Sequence, residues 1–170
     1  MDYTAHYMSP IGGITLVSDG KALVGLWFDG QKYFAAGLAP VHEERQDLEI
    51  FAETRRWLDV YFNGRNPDFL PNIVLRGSEF RKAVWRKLLE IPYGQTTTYG
   101  ALARSLGCKS AQAVGGAVGH NPLSLIVPCH RVVGSGGKLT GYAGGMDKKE
   151  WLLRLEGAMH ACKCPRLFNG

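Results

Sequence analysis

No stretch of this chain approaches the roughly 20 apolar residues needed to cross a bilayer, so a membrane-spanning helix is excluded on length. Internal repeats and low-complexity tracts are absent as well, which removes solenoids and disordered arrays. Cysteine is scarce: of 170 residues only Cys108, Cys129, Cys162 and Cys164 are cysteines, with none before position 108. That distribution is not a disulfide framework, and no charged-then-apolar leader opens the chain. The expectation is a soluble, thiol-reduced, intracellular protein, cytoplasmic if the source is prokaryotic.

Acidic residues run short in the second half. Up to Leu75 there are 6 Lys and Arg against 10 Asp and Glu, and after it 14 against 5, so a net −4 is followed by a net +9. A basic half without an acidic counterweight is the footprint of a surface that meets phosphates, with scattered solvated charge as the bland alternative.

The first half reads as sheet plus helix. Residues 3–8, 13–17 and 22–28 are rich in β-formers, and Asp19-Gly20 separates the last two, which predicts an antiparallel meander. Past the polar stretch 40–47, Leu48, Phe51, Leu58, Tyr61 and Phe62 recur at helical spacing until Asn63-Gly64. A junction is expected in the proline-containing segment 66–77, giving domains 1–75 and 76–170.

The second half reads as helices. Ser78 offers an N-cap to a helix carrying Phe80, Val84, Leu88 and Leu89. Thr98 caps a short helix over 99–106, Gly107 ends it, and a second follows over 110–118, the pattern of helix-turn-helix. That second helix is made of Ala111, Ala113, Gly115, Gly116 and Ala117 around Gln112, although each glycine costs roughly 1 kcal/mol against alanine. Close approach to a backbone or to DNA would offset the cost. A final helix is expected to start at Asp147, turn Trp151, Leu152 and Leu155 inward, and stop at Gly157.

Between these helices the apolar run 123–127 leads into Pro128-Cys129-His130-Arg131-Val132-Val133. A free thiol has a pKa near 8.5 and needs a base or a positive field to become a nucleophile. Pro128 is expected to present Cys129, exposed, at the end of a strand. Successive strand residues point to opposite faces, so His130 would reach the thiol through a bend or a water. A small buried apolar cysteine is the structural alternative.

The motifs Gly115-Gly116, Asn121-Pro122, Ile126 through Val132, Gly141-Tyr142-Ala143-Gly144-Gly145 and Glu150 through Gly157 carry a resemblance. From Ser78 to Gly157 the chain resembles an O6-alkylguanine-DNA alkyltransferase. The resemblance implies an α+β protein with an N-terminal antiparallel sheet plus helix, RNase H-like, and a C-terminal winged-helix or helix-turn-helix-like domain with the reactive cysteine. It implies a suicide reaction in which Cys129 takes the alkyl group from guanine O6 in double-stranded DNA, once per molecule. His130 would deprotonate the thiol through a water, Glu156 orient His130, Asn121 buttress the site and Tyr142 donate toward the leaving base.

The same resemblance implies minor-groove binding and extrusion of the lesion. Tyr99 would push the 3′ phosphate, and Ala113, Gly115, Arg131, Val132, Ser135 and Ala143 would line DNA or the base. Gln112 stands where the family has an arginine that fills the gap left by the base, and Ala143 and Ser124 replace a serine and a proline of some relatives. Some relatives bind zinc through N-terminal cysteines; with none before Cys108, no metal is expected here, nor any cofactor. His160, Cys162 and Cys164 lack a second ligand pair and read as ordinary thiols in a tail. The protein is expected to act as a monomer. Alternatives are an alkyltransferase-like lesion binder, a helix-turn-helix regulator, or a cysteine hydrolase, which would need an oxyanion hole.

Overall fold

The computed structural model describes residues 1–159; His160, Cys162 and Cys164 lie outside them. The α+β expectation holds. Two compact units divide the described residues: Met1–Arg76 together with Pro122–Ser124, and the residues from Gly77 to Asn121 and from Leu125 to Met159.

In the first unit, β1 (Asp2–Ser9), β2 (Gly12–Ser18) and β3 (Leu23–Phe28) form the antiparallel meander, with Ala5 opposite Leu16 and Ile14 opposite Phe28. The turn into β3 is built by Asp19, whose carboxylate accepts from the Lys21 and Ala22 amides at 2.9 and 2.8 Å, and by Gly20 at φ 106°. A fourth strand, β4 (His42–Glu44), pairs parallel to β1 and completes the order β3-β2-β1-β4. It lies in the polar stretch 40–47 and carried no strand pattern, because its three side chains are all exposed and show no alternation. Helix α1 (Glu49–Phe62) lays Phe51, Thr54, Trp57, Leu58 and Tyr61 against the sheet, and Gly64 at φ 78° follows its end. The outer edge of β3 is met by two short segments of the same unit, through parallel bridges of Leu23 to Ile73 and of Leu26 to Leu123.

In the second unit, α2 (Glu79–Leu88) begins where Ser78 Oγ accepts from the Arg81 amide at 3.2 Å. It buries Val84, Trp85 and Leu88 but leaves Phe80, one turn before Val84 on the same side, exposed in the first turn. Thr98 and Ser110 cap α3 (Tyr99–Ser105) and α4 (Ala111–Gly119) with bonds of 3.0 Å to Ala101 and Ala113 amides, and Gly107 at φ 64° turns the chain between them. The Trp85 indole donates to the Ala117 carbonyl at 2.8 Å, which fixes α4 on α2. Two strands unseen in the sequence, β5 (Thr97–Thr98) and β6 (Val132–Val133), pair in parallel. Each is only two residues long, too short to carry a period. Helix α5 (Met146–Leu155) starts from Gly145 at φ 100° with no side-chain cap; Asp147 sits in its first turn instead, where a carboxylate favours the helix dipole. It buries Lys149, Leu152 and Leu153 rather than Trp151 and Leu155, so the inward stripe is displaced from the one expected.

Arg76 groups with the first unit through a two-pronged bond to Asp2, at 2.8 and 2.9 Å, while the Ala39 amide donates to the same carboxylate at 2.9 Å. Asp2 is buried, and the Arg76 guanidinium holds its carboxyl below the usual range against the cost of burial. Asp2→Asn should therefore lower stability by about 1–3 kcal/mol, seen as a lower urea midpoint at unchanged slope.

Candidate active site

Cys129 is not at the end of an exposed strand. Pro128 at φ −81° and ψ 67° makes an inverse γ-turn, closed by the Cys129 amide on the Val127 carbonyl at 2.8 Å. Residues Cys129–Arg131 then form one 3-10 turn before β6 begins. The strand argument about alternating faces does not apply to such a turn. Asn121 Nδ2 donates to the same Val127 carbonyl at 2.7 Å, so one oxygen is gripped by the helix-end asparagine and by the backbone of the cysteine. Leu125 reaches this stretch at φ 71°, a region a branched residue seldom adopts, and is itself buried.

The thiol is buried, with 5% of its residue surface exposed. Burial pushes the Cys129 thiol up, while the Asn121 side chain and the Lys149 ammonium work in the opposite direction. Lys149 has no exposed surface, and its Nζ donates to the Thr140 carbonyl at 2.7 Å and lies 5.9 Å from the Tyr99 ring centre. Burial lowers it to about 8. The Tyr142 hydroxyl is buried with no hydrogen-bond partner among the described residues, and burial pushes its pKa far up. It is a donor held ready for a partner the protein itself does not supply.

His130 and Glu156 are brought together, with Nε2 2.5 Å from Oε2. The neutral tautomer that donates Nε2–H to the carboxylate carries its lone pair on Nδ1. Oε1 of Glu156 accepts from Arg131 Nε at 2.8 Å and from the Gly94 amide at 3.0 Å. Gly94 has φ 80°, and a Cβ there would sit 3.1 Å from the Glu156 carbonyl, so this contact requires glycine. Burial raises the Glu156 carboxyl, but His130 and Arg131 outweigh it and hold it down to about 2. Burial keeps His130 below its ordinary value.

The residues expected on DNA are placed unevenly. Ala111, Gln112, Ala113 and Gly116 form an exposed face of α4, and Gly115 backs onto Tyr99, 3.7 Å from where its Cβ would lie. Tyr99 is half-buried, with its hydroxyl 3.5 Å from the Gly141 carbonyl. Ser135 is exposed and Ala143 half-buried. Two differ from expectation. Val132 is fully buried in β6, and Arg131 spends its guanidinium inward on Glu156 and on the Ile91 carbonyl, at 2.8 and 2.7 Å. A buried ion pair of this kind leaves no charge to offer a phosphate.

Lys149 was missed by sequence reasoning. Its signal was position: 149, 152, 153 and 156 fall on one stripe of α5 at spacings of three and four, so the face that buries leucines also delivers a lysine and a glutamate. Among the described residues no three His, Cys, Asp or Glu side chains converge as metal ligands, and no helix is long and apolar enough to cross a membrane.

Known proteins share this architecture. Residues 79–158 match the family described as 6-O-methylguanine DNA methyltransferase, DNA binding domain, and residues 3–71 match the ribonuclease-like domain of the same family. A methylated-DNA–protein-cysteine methyltransferase of Methanosarcina acetivorans is 46% identical, over 92% of this chain and 99% of its own. The protein of that name from Haemophilus influenzae is 41% identical, over 91% and 86%. Mycobacterium tuberculosis OGT, solved in complex with DNA, superposes with a TM-score of 0.83 at 40% identity, covering 92% of this chain and 93% of that one.

The charged cluster makes stability depend on pH. Both shifts act in one direction. A histidine held neutral by burial contributes stability present above its unfolded pKa near 6.5 and lost as pH falls below it. A glutamate held at about 2 contributes stability present above its unfolded value and lost as pH falls through about 2. Thermal unfolding between about pH 7 and 2 should show a steady fall in Tm, and Glu156→Gln should flatten the acidic part of that curve.

Proposed function

The chain belongs to the 6-O-methylguanine DNA methyltransferase family, and from that premise we propose that it repairs DNA by moving an alkyl group from guanine O6 onto Cys129, once and irreversibly. The observation that carries this reading is the buried thiol set among Asn121, Lys149 and the His130–Glu156 pair. A thiol raised by burial is inert until a base takes its proton, which suits a nucleophile that must wait for one substrate and is then spent.

His130 takes the thiol proton at Nδ1, through a water, while Nε2–H stays on Glu156. The thiolate attacks the alkyl carbon; the S–C bond forms as the C–O bond breaks, and the electron pair leaves on guanine. Tyr142 donates toward that base, which is the use for its unpartnered buried hydroxyl. Asn121 keeps Val127 and therefore Cys129 in place. The Lys149 ammonium adds a positive field to the thiolate.

A thiol this buried cannot meet a base stacked in a duplex, so the nucleotide must be extruded. The small exposed face of α4 fits a minor groove about 6 Å wide. Residues 76–170 are the DNA-binding and alkyl-acceptor part, and 1–75 the sheet-bearing part. Tyr99 beside Gly115 turns the lesion's phosphate, Gln112 enters the space the base leaves, and Ala113, Ser135 and Ala143 line the path. Work on DNA would put the protein in the cytoplasm if its source is prokaryotic. A lesion binder without transfer is disfavoured by the presence of Cys129, His130 and Glu156 together in one buried cluster.

Incubation with duplex DNA carrying labelled O6-methylguanine should put label on Cys129 at no more than one equivalent, and Cys129→Ser should bind the DNA but take no label. Turnover, or binding without label, would overturn the reading. Gln112→Arg should tighten binding to lesion DNA by about two- to fivefold by adding one cation at the groove; unchanged affinity would remove Gln112 from the groove.

A further inference from the structure

We propose that Arg131 is a positioning residue that occupies one oxygen of Glu156 and so keeps His130 neutral and able to accept the thiol proton at physiological pH. The proposal rests on the alkyl-transfer reading above. It assigns Arg131 a task inside the site instead of one on the DNA.

The geometry divides the carboxylate. Oε2 faces His130 Nε2 at 2.5 Å, and Oε1 is taken by Arg131 Nε at 2.8 Å. The guanidinium is fixed independently, through Nη1 on the Ile91 carbonyl at 2.7 Å and by stacking 5.7 Å above the centre of the Tyr93 ring. His130, Arg131 and Glu156 are all at least nine-tenths buried, so water screens little between them. A buried carboxylate whose only charged partner is an imidazole draws a proton onto that imidazole and makes a fixed ion pair. A permanent cation on the second oxygen satisfies the carboxylate without it.

The other groups around His130 do not do this. Lys149 and Glu156 face it from α5, Arg131 from its own turn, and Cys129 and Tyr142 add their thiol and hydroxyl to the same cluster, while Tyr93 contacts Arg131 from the turn after α2. Lys149 also disfavours a charged His130, but its ammonium is directed at the Thr140 and Gly141 carbonyls, whereas Arg131 is bonded to the carboxylate itself.

Loss of the guanidinium therefore makes His130 more basic. Below the new imidazole pKa both the thiol and the imidazole hold protons, and no transfer occurs. Above it the imidazole can again accept the thiol proton. The substitution changes the shape of the pH profile, while a merely structural role would lower its height at every pH.

Single-turnover transfer from O6-methylguanine duplex should be followed from about pH 5.5 to 9 in wild type, Arg131→Met and Arg131→Lys. The acid limb of Arg131→Met should move up by about one pH unit, so that whatever deficit the variant shows near pH 8.5 grows by up to about tenfold as pH falls along the limb. Arg131→Lys should return the limb at least halfway. An equal loss at all pH values would overturn the proposal. Nitrogen NMR of His130 in the wild-type protein tests it without a variant and without transfer: the ring should be neutral, protonated on Nε2, at pH 7, and an imidazolium there would overturn it. A wild type that transfers no label would instead sink the alkyl-transfer reading, leaving the NMR result to judge the charge division separately.

Discussion

Glu156 is the constraint on which the second unit turns. One buried carboxylate receives His130 and Arg131 from the 3-10 turn and the Gly94 amide from the turn after α2, while standing itself at the C-terminal end of α5. A charge taken out of water demands such partners, and removing one leaves the others uncompensated, at a cost of several kcal/mol. Three chain segments far apart in sequence are thereby held together by a single group. These contacts position the turn that carries Cys129.

The same turn is gripped from its other side by backbone chemistry. The Val127 carbonyl takes both the Cys129 amide and Asn121 Nδ2, and β6 immediately pairs with β5, whose Thr98 is the cap of α3. Tyr99 begins that helix and packs against Gly115 on α4. The groups proposed to handle DNA and the group proposed to do chemistry are thus linked through short, polar, geometrically demanding contacts. Apolar packing alone would tolerate more slippage.

Burial gives the site its character. It raises the thiol, lowers the histidine and the lysine, and leaves the Tyr142 hydroxyl without a partner among the described residues. Each of these is unfavourable for an isolated resting protein, and the proposed reaction has a use for each: a thiol protected until an alkylated base enters, an imidazole empty of its second proton, and a hydroxyl in want of an acceptor. Residues that look strained in the free protein are those the proposed reaction employs.

Much of this was readable from residues in order. The meander announced by Asp19-Gly20, the caps at Ser78, Thr98 and Ser110, and the small-residue helix around Gln112 are local features, set by backbone preferences within a few residues, and they appear where expected. Strands β4, β5 and β6 left no local trace, being two or three residues long and held by partners elsewhere in the chain. The motif around Cys129 pointed to the proposed nucleophile, but not to its surroundings: an exposed strand end was the local expectation, and a buried 3-10 turn held by the contacts with Asn121 and Glu156 is what the fold contains. Arg131 shows the difference most clearly. By resemblance it is expected to line DNA or the base, and only the fold, by bringing Glu156 and the Ile91 carbonyl to it from 25 and 40 residues away, turns its charge inward. Sequence determined which groups were present; because charge acts through space and not along the chain, the tertiary structure decided which of them face one another.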